Sequence, residues 1–323
     1  MGATDLLAKG VATLSEEGSL ALARKCNDRY GPRVWYHSLL GRWYDRQAEN
    51  VFDHEWDILL ILDGCRVDAL ASVADEYEFL DPDVPTLVSP GGGSPDWMAN
   101  TFTEAYQDVI RNTVYVSGNP HTRRVLGDQT EGLFTEYNDG RNWTAVLSLL
   151  VPVWEQAWNE DIGTVPARPV TDGLIHAIRT TDADRYVAHY MQPHFPSIPD
   201  HLGTEMILDD DARWPGNAWE QLRDGDLTAD RVWEAYIENL RYVLDDIAIV
   251  LDNVDGDVVI TADHGNAFGE RGAYGHGFRH VRSVREVPWV GVTGTDTGSY
   301  QPAFDPEGVD ESVDEQLEAL GYK

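Results

Sequence analysis

A chain of 323 residues with 42% apolar side chains is long enough for one large α/β domain or two modest ones, and it can build its own core. Its 56 acidic and 24 basic residues give a formal charge of -32, a field that repels nucleic acid and excludes a polyanion-binding role. Only Lys9, Lys25 and Lys323 are lysines, and so heavily hydrated an acidic surface predicts solubility in concentrated salt and a halophilic source.

Residues 1–50 read as a helical N-terminal extension, with Leu6, Leu7, Val11 and Leu14 in register, then Leu20, Leu22 and Ala23, then Trp35, Leu39, Leu40 and Trp43. This stretch carries seven basic and six acidic residues, so the rest of the chain holds the whole negative excess. A packed helical extension is the expectation, with peripheral membrane or protein contact through residues 1–50 as the alternative. The N-terminus lacks the basic start and apolar core of a signal peptide, and nowhere do about 18 apolar residues run together. The expected location is therefore cytoplasmic. Cys26 and Cys65 are too few for a disulfide framework or a thiolate metal site.

From residue 51 to 298 the pattern is one of short apolar runs separated by helical stretches, which predicts an α/β domain with a mostly parallel sheet. The clearest strands are Asp57–Leu62, Thr113–Val116, Arg185–Met191 and Asp257–Ala262. Leu227–Leu251 reads as an amphipathic helix with Val232, Tyr236, Leu240, Val243, Leu244, Ile247 and Leu251 on one stripe. Trp143, Trp154 and Trp158 read as core or wall, and residues 299–323 as a loose acidic tail with one short helix.

Ligands collect at the carboxyl ends of strands in open α/β sheets, so the residues that follow each apolar run matter most. ILLIL ends in Asp63-Gly64, VVITA in Asp263-His264-Gly265, YVAHYM in Gln192-Pro193-His194 and TVYV in Ser117-Gly118-Asn119. A charged and a titratable residue after a fully apolar strand have no evident structural use, which marks Asp263 and His264 as metal ligands with Asp63 as their partner. Carboxylate oxygen and imidazole nitrogen together suit zinc or manganese, with magnesium or calcium as further candidates.

For the nucleophile, Ser94 in Ser89-Pro-Gly-Gly-Gly-Ser94-Pro95-Asp96 is the leading candidate. Glycines permit close backbone approach, and Pro95 suits a first helical position with Ser94 as N-cap, at the positive end of the helix dipole. Ser89 and Thr101 are weaker candidates. Tyr274-Gly-His276-Gly-Phe-Arg-His280 forms a glycine-rich polar loop after the metal pair and offers His276 as a site residue.

ILDGCRVDAL, TADHGNAFGE and HYMQPHFP together resemble the alkaline-phosphatase superfamily, and within it the sulfatase-like proteins of archaea, over roughly residues 55 to 295. The resemblance implies a three-layer α/β sandwich with a mostly parallel central sheet. It assigns Asp63, Asp263 and His264 as metal ligands, Ser94 as nucleophile and fourth ligand, His194 as a substrate-contacting acid, and His276 as the late histidine of two-metal members. No Cys/Ser-x-Pro-Ser-Arg run for nucleophile oxidation is present, which moves the expected chemistry from sulfate to phosphate esters. Asp200, His201 and His189 are the remaining candidates for a second-ion set, and one ion is the simpler expectation. The implied function is a metal-dependent hydrolase or transferase acting on a small-molecule or glycan- or lipid-linked phosphoester. A sulfatase-like transferase and a metal-stabilised binding module for sugar phosphates are the alternatives.

Overall fold

Ile58–Leu62 (β1) is wholly apolar and wholly buried, as a strand covered on both faces must be. The computed structural model describes residues 37–127, 137–202 and 218–304. β1 pairs in parallel with Gly256–Thr261 (β6) on one side and Arg185–Tyr190 (β5) on the other. Beyond β5 lie Thr113–Ser117 (β3) and Leu149–Pro152 (β4), also parallel. Glu286–Gly294 (β9) runs antiparallel to β6, and Thr86–Val88 (β2) antiparallel to β9. The seven-stranded order is thus β2-β9-β6-β1-β5-β3-β4.

Side chains alternate across this sheet and build two cores. Ile58, Leu60 and Leu62 face the helices Ala167–Thr180 and Ala229–Leu251, whose Leu174, Leu240, Val243, Leu244 and Ile247 join the same buried cluster. Leu59, Ile61, Tyr115 and Val187 face the opposite way, onto Phe52, Trp56, Trp97, Met98, Phe102 and Trp143. The result is a three-layer α/β/α sandwich. Each fully buried Leu or Ile in these layers contributes about 1.5–3 kcal/mol. The long helix starts two residues later than its apolar stripe suggests, because Thr228 caps it by accepting from Arg231 N at 3.2 Å.

The chain divides into two compact units, Met1–Gln47 and Ala48–Lys323. In the first, residues 37–47 are helical. The expected helices between Leu6 and Trp35 lie outside the described residues, as does the tail from residue 305. Residues 300–304, expected to be loose, are tied down. Tyr300 Oη donates to Asp172 Oδ1 at 2.6 Å, and the amides of Ala303 and Phe304 donate to Asp172 Oδ2 at 3.1 Å. The aromatic rings of Tyr300 and Phe304 pack against the first core and explain the attachment. No helix among the described residues is long and apolar enough to cross a membrane.

Candidate metal centre

Four neighbouring strands, β6, β1, β5 and β3, deliver the chemistry, because their carboxyl ends lie side by side about 4.8 Å apart. Asp263 and His264 follow β6, Asp63 follows β1, His194 follows β5 by four residues, and Asn119 follows β3 by two. Ligand atoms of Asp63, Asp263 and His264 all lie within 4.8 Å of one another, and all three residues are buried. His264 Nε2 stands 3.3 Å from Asp63 Oδ1 and 3.6 Å from Asp263 Oδ2. These three atoms have no hydrogen-bond partner among the described residues.

The remaining polar atoms of the trio are spoken for, which aims the unpartnered ones at a common point. Asp263 Oδ1 accepts from Gly64 N at 3.1 Å and His264 N at 2.9 Å. His264 Nδ1 lies 2.9 Å from the Gly265 carbonyl, to which it donates, so Nε2 is the nitrogen left for a ligand. Asp63 Oδ2 accepts from Ser94 Oγ at 3.1 Å and Asn119 Nδ2 at 3.0 Å.

Buried carboxylates facing one another require a compensating positive charge. Burial alone would push the pKa of His264 down, yet Asp263 and Asp63 outweigh it and raise it to about 9. Burial likewise pushes Asp263 up, but His264 and His189 more than reverse this and hold it well below the usual carboxylate range. The centre therefore takes a positive charge, either as a proton on His264 or as a cation among the three donors. Two carboxylate oxygens and an imidazole nitrogen, buried and unpartnered, fit a divalent ion.

Ser94 opens the helix Ser94–Thr101 and is 5% exposed. The cap residue is Gly93 rather than Ser94, and no side chain caps this end. Ser94 Oγ is committed to Asp63 instead. Trp97 and Met98 anchor the helix against the second core, which fixes where Ser94 stands. Gly91 permits the close turn, since a Cβ there would lie 2.3 Å from Trp97 N. Of the weaker candidates, Ser89 is buried and donates to the Asp263 carbonyl, a bracing role. Thr101 is buried at the opposite end of the helix from Ser94.

His194 and His276 close the other side. Their ring centroids are 4.9 Å apart, and His276 is 4.7 Å from His264. His194 Nδ1 donates to the Phe195 carbonyl at 2.6 Å, and its backbone N donates to the Asp63 carbonyl at 3.0 Å. His276 is itself exposed to solvent. Asp200 stands elsewhere, paired with Arg231 at 2.7 Å. His189 is buried beside the trio, with Nε2 3.5 Å from Asp263 Oδ2 and Nδ1 2.8 Å from Tyr115 Oη. Cys65 is a buried packing residue.

Two contributors escape sequence reasoning, and a third, Asn119, is placed at a strand end without a role. Asn119 sits among the strand ends, but a short amide carries no distinctive spacing. His121 begins a helix after Pro120, and burial, only partly offset by Asp63, lowers its pKa to about 4. Arg66 is 8% exposed, lies over the rings of Trp233 and Phe268, and bonds Asp68, Glu270 and the Asn266 carbonyl. Its contacts span about 200 residues of sequence, a pairing that no local pattern announces.

Fold and site together define an α/β protein with a buried cluster of two aspartates and a histidine at the carboxyl edge of its sheet. No protein-family model matches the chain, and no curated protein does. Among solved structures, it is similar to the soluble domain of lipooligosaccharide phosphoethanolamine transferase A from Neisseria meningitidis, at 12% identity over 72% of this chain and 75% of that one, TM-score 0.43. A phosphoglycerol transferase of Streptococcus pyogenes in complex with sn-glycerol-1-phosphate aligns at 10% identity over 82% and 75%, TM-score 0.40. A protein in the alkaline phosphatase superfamily from Vibrio parahaemolyticus aligns at 9% identity over 84% and 70%, TM-score 0.36. Likeness at these identities and scores assigns no residue role, and the roles below rest on this site's own geometry.

Proposed function

We propose that this chain is a divalent-metal-dependent hydrolase or transferase of phosphate esters with Ser94 as nucleophile. The observation that carries this reading is the buried, unpartnered trio of Asp63 Oδ1, Asp263 Oδ2 and His264 Nε2 beside a serine that already bonds Asp63. Asp63, Asp263 and His264 would hold the ion. Bound there, a divalent ion lowers the pKa of a neighbouring hydroxyl and neutralises charge on a phosphoryl group.

The protein's own groups account for the rest. Asp63 Oδ2 orients the Ser94 hydroxyl, and Asn119 Nδ2 holds that carboxylate oxygen from the other side. The positive end of the helix Ser94–Thr101 lies at the nucleophile and favours an anionic substrate there. Attack by Ser94 Oγ on phosphorus forms one O–P bond as the bond to the leaving oxygen breaks, and the oxygen of water or an acceptor alcohol then bonds to phosphorus as the bond to Ser94 Oγ breaks. His194 and His276, whose rings lie 4.9 Å apart, are the groups we propose to carry protons to and from those oxygens.

Zinc or manganese is the ion we propose, and a glycan- or lipid-linked phosphoester the natural substrate class, with residues 1–50 as a contact for membrane or protein. An assay in concentrated salt with aryl phosphate, bis-aryl phosphate, phosphonate and aryl sulfate, with and without chelator, tests the reading. Turnover of a phosphate ester that chelator abolishes and zinc or manganese restores is the expected result. Turnover of sulfate alone, or none despite bound ion, would overturn it, the latter in favour of a binding module.

A further inference from the structure

Gly64, Asn266 and His276 form a chain of contacts that decides which nitrogen of His276 carries hydrogen. Asn266 is fully buried, two residues after His264. Its Nδ2 lies 3.0 Å from the Gly64 carbonyl, an oxygen that only accepts, so the amide is held with Nδ2 on that side and Oδ1 on the other. Gly64 makes room for it. With φ of 72° it occupies the left-handed region, and a Cβ there would stand 2.5 Å from Asn266 Nδ2. Tyr236 Oη donates to the same carbonyl at 2.6 Å, and Arg66 Nη1 donates to the Asn266 carbonyl at 2.8 Å, so neither end of the amide's support is loose.

Asn266 Oδ1, so oriented, faces His276 Nδ1 at 3.3 Å. An amide oxygen cannot donate, so Nδ1 carries a hydrogen and Nε2 is the nitrogen left free to meet a substrate. The Nε2 edge of the ring is the one turned toward the nucleophile loop, because the adjoining Cδ2 lies 3.4 Å from where a Cβ on Gly93 would stand. We infer that Asn266 is a positioning residue that holds His276 with Nδ1–H on the Asn266 amide oxygen and Nε2 turned to the nucleophile loop. Nε2 is then the nitrogen that meets an entering water or alcohol or a leaving oxygen.

This inference deepens the proposed phosphoester chemistry and rests on it for its consequence, but its test needs no substrate. Long-range ¹⁵N–¹H correlation spectra of the full-length chain labelled at histidine report each ring's tautomer, and loss of a pattern in His276→Gln identifies His276. At a pH where the ring is neutral, the expected result is a protonated Nδ1 and an unprotonated Nε2. In Asn266→Leu, which keeps the volume and removes the acceptor, the His276 pattern changes while those of His264 and His194 persist, and turnover falls by about 10–100-fold. An Nε2–H form in the unaltered protein overturns the inference whether or not the leucine variant folds, and so does an unchanged His276 pattern in a folded Asn266→Leu. An Nδ1–H His276 in a protein that turns over no phosphoester would leave the positioning role intact and remove the proposed function.

Discussion

Ser94 Oγ donates to Asp63 Oδ2 at 3.1 Å, a bond that joins the serine starting one helix to the carboxylate ending one strand across 31 residues of chain. Replacing Ser94 with alanine removes the attacking atom and leaves the three proposed ion ligands in place. Turnover of an aryl phosphate or diester is expected to fall at least about 10³-fold. Bound metal, read by elemental analysis after dialysis, stays near one equivalent per chain. Full turnover in this variant excludes Ser94 as nucleophile.

The trio gives the metal-free protein its own pH response. His264 has its pKa raised from 6.5 to about 9, so its bound proton contributes stability fully below 6.5, and that contribution disappears as pH rises through about 9. Melting of the chelator-treated chain is therefore expected to fall between pH 6.5 and 9. Saturating zinc or manganese should remove that fall, because the ion replaces the proton. The same competition makes apparent ion affinity rise about tenfold per pH unit below the His264 pKa. An affinity independent of pH there would show that His264 is not a ligand.

Arg66 is a strut between β1 and the loop after β6. Exchange to methionine keeps much of the stem's packing but removes bonds to Asp68, Glu270 and the Asn266 carbonyl, at a cost of about 1–3 kcal/mol in urea unfolding. Burial pushes the carboxyls of Asp68 and Glu270 up, but Arg66 outweighs it and lowers both. Their stabilisation is present above the ordinary carboxylate pKa and lost as pH falls through the depressed values. The variant should thus show a shallower loss of stability in acid than the unaltered chain. Equal acid slopes would deny the strut its electrostatic part.

Gly64 tolerates no side chain. Gly64→Ala places a residue with a Cβ at φ of 72°, at a cost of about 1–2 kcal/mol, and drives that carbon into an amide fixed at both ends. Denaturant titration should show a loss of at least that size, accompanied by reduced ion affinity because Asp63 precedes the distorted residue. An alanine variant as stable as the parent would mean that the Asn266 amide is free to move.

How much of this was legible in advance follows from which signals are local. The parallel strands and the long helix announce themselves through apolar runs and a 3.6-residue stripe, since burial on both faces or one face dictates composition directly. Asp63, Asp263, His264 and Ser94 stand out because polar groups directly after apolar strands, or after a glycine run before Pro95, occupy positions where packing does not ask for them. The sequence places the nucleophile candidate Ser94 at the N-cap and the structure places it in the first turn, because those positions differ by one residue and only the tertiary partner Asp63 separates them. The roles of Arg66, Asn119 and Asn266 were illegible for a different reason. Their roles consist of partners far away in the chain, and an arginine, or an asparagine beside a glycine, has ordinary local explanations.

Anomalous diffraction from crystals of the full-length chain grown with zinc or manganese tests the central claim most directly. The account predicts an anomalous peak enclosed by Asp63 Oδ1, Asp263 Oδ2 and His264 Nε2, with Ser94 Oγ beside it. A crystal whose anomalous density avoids that trio, or whose trio is bridged by a basic side chain instead, would contradict it.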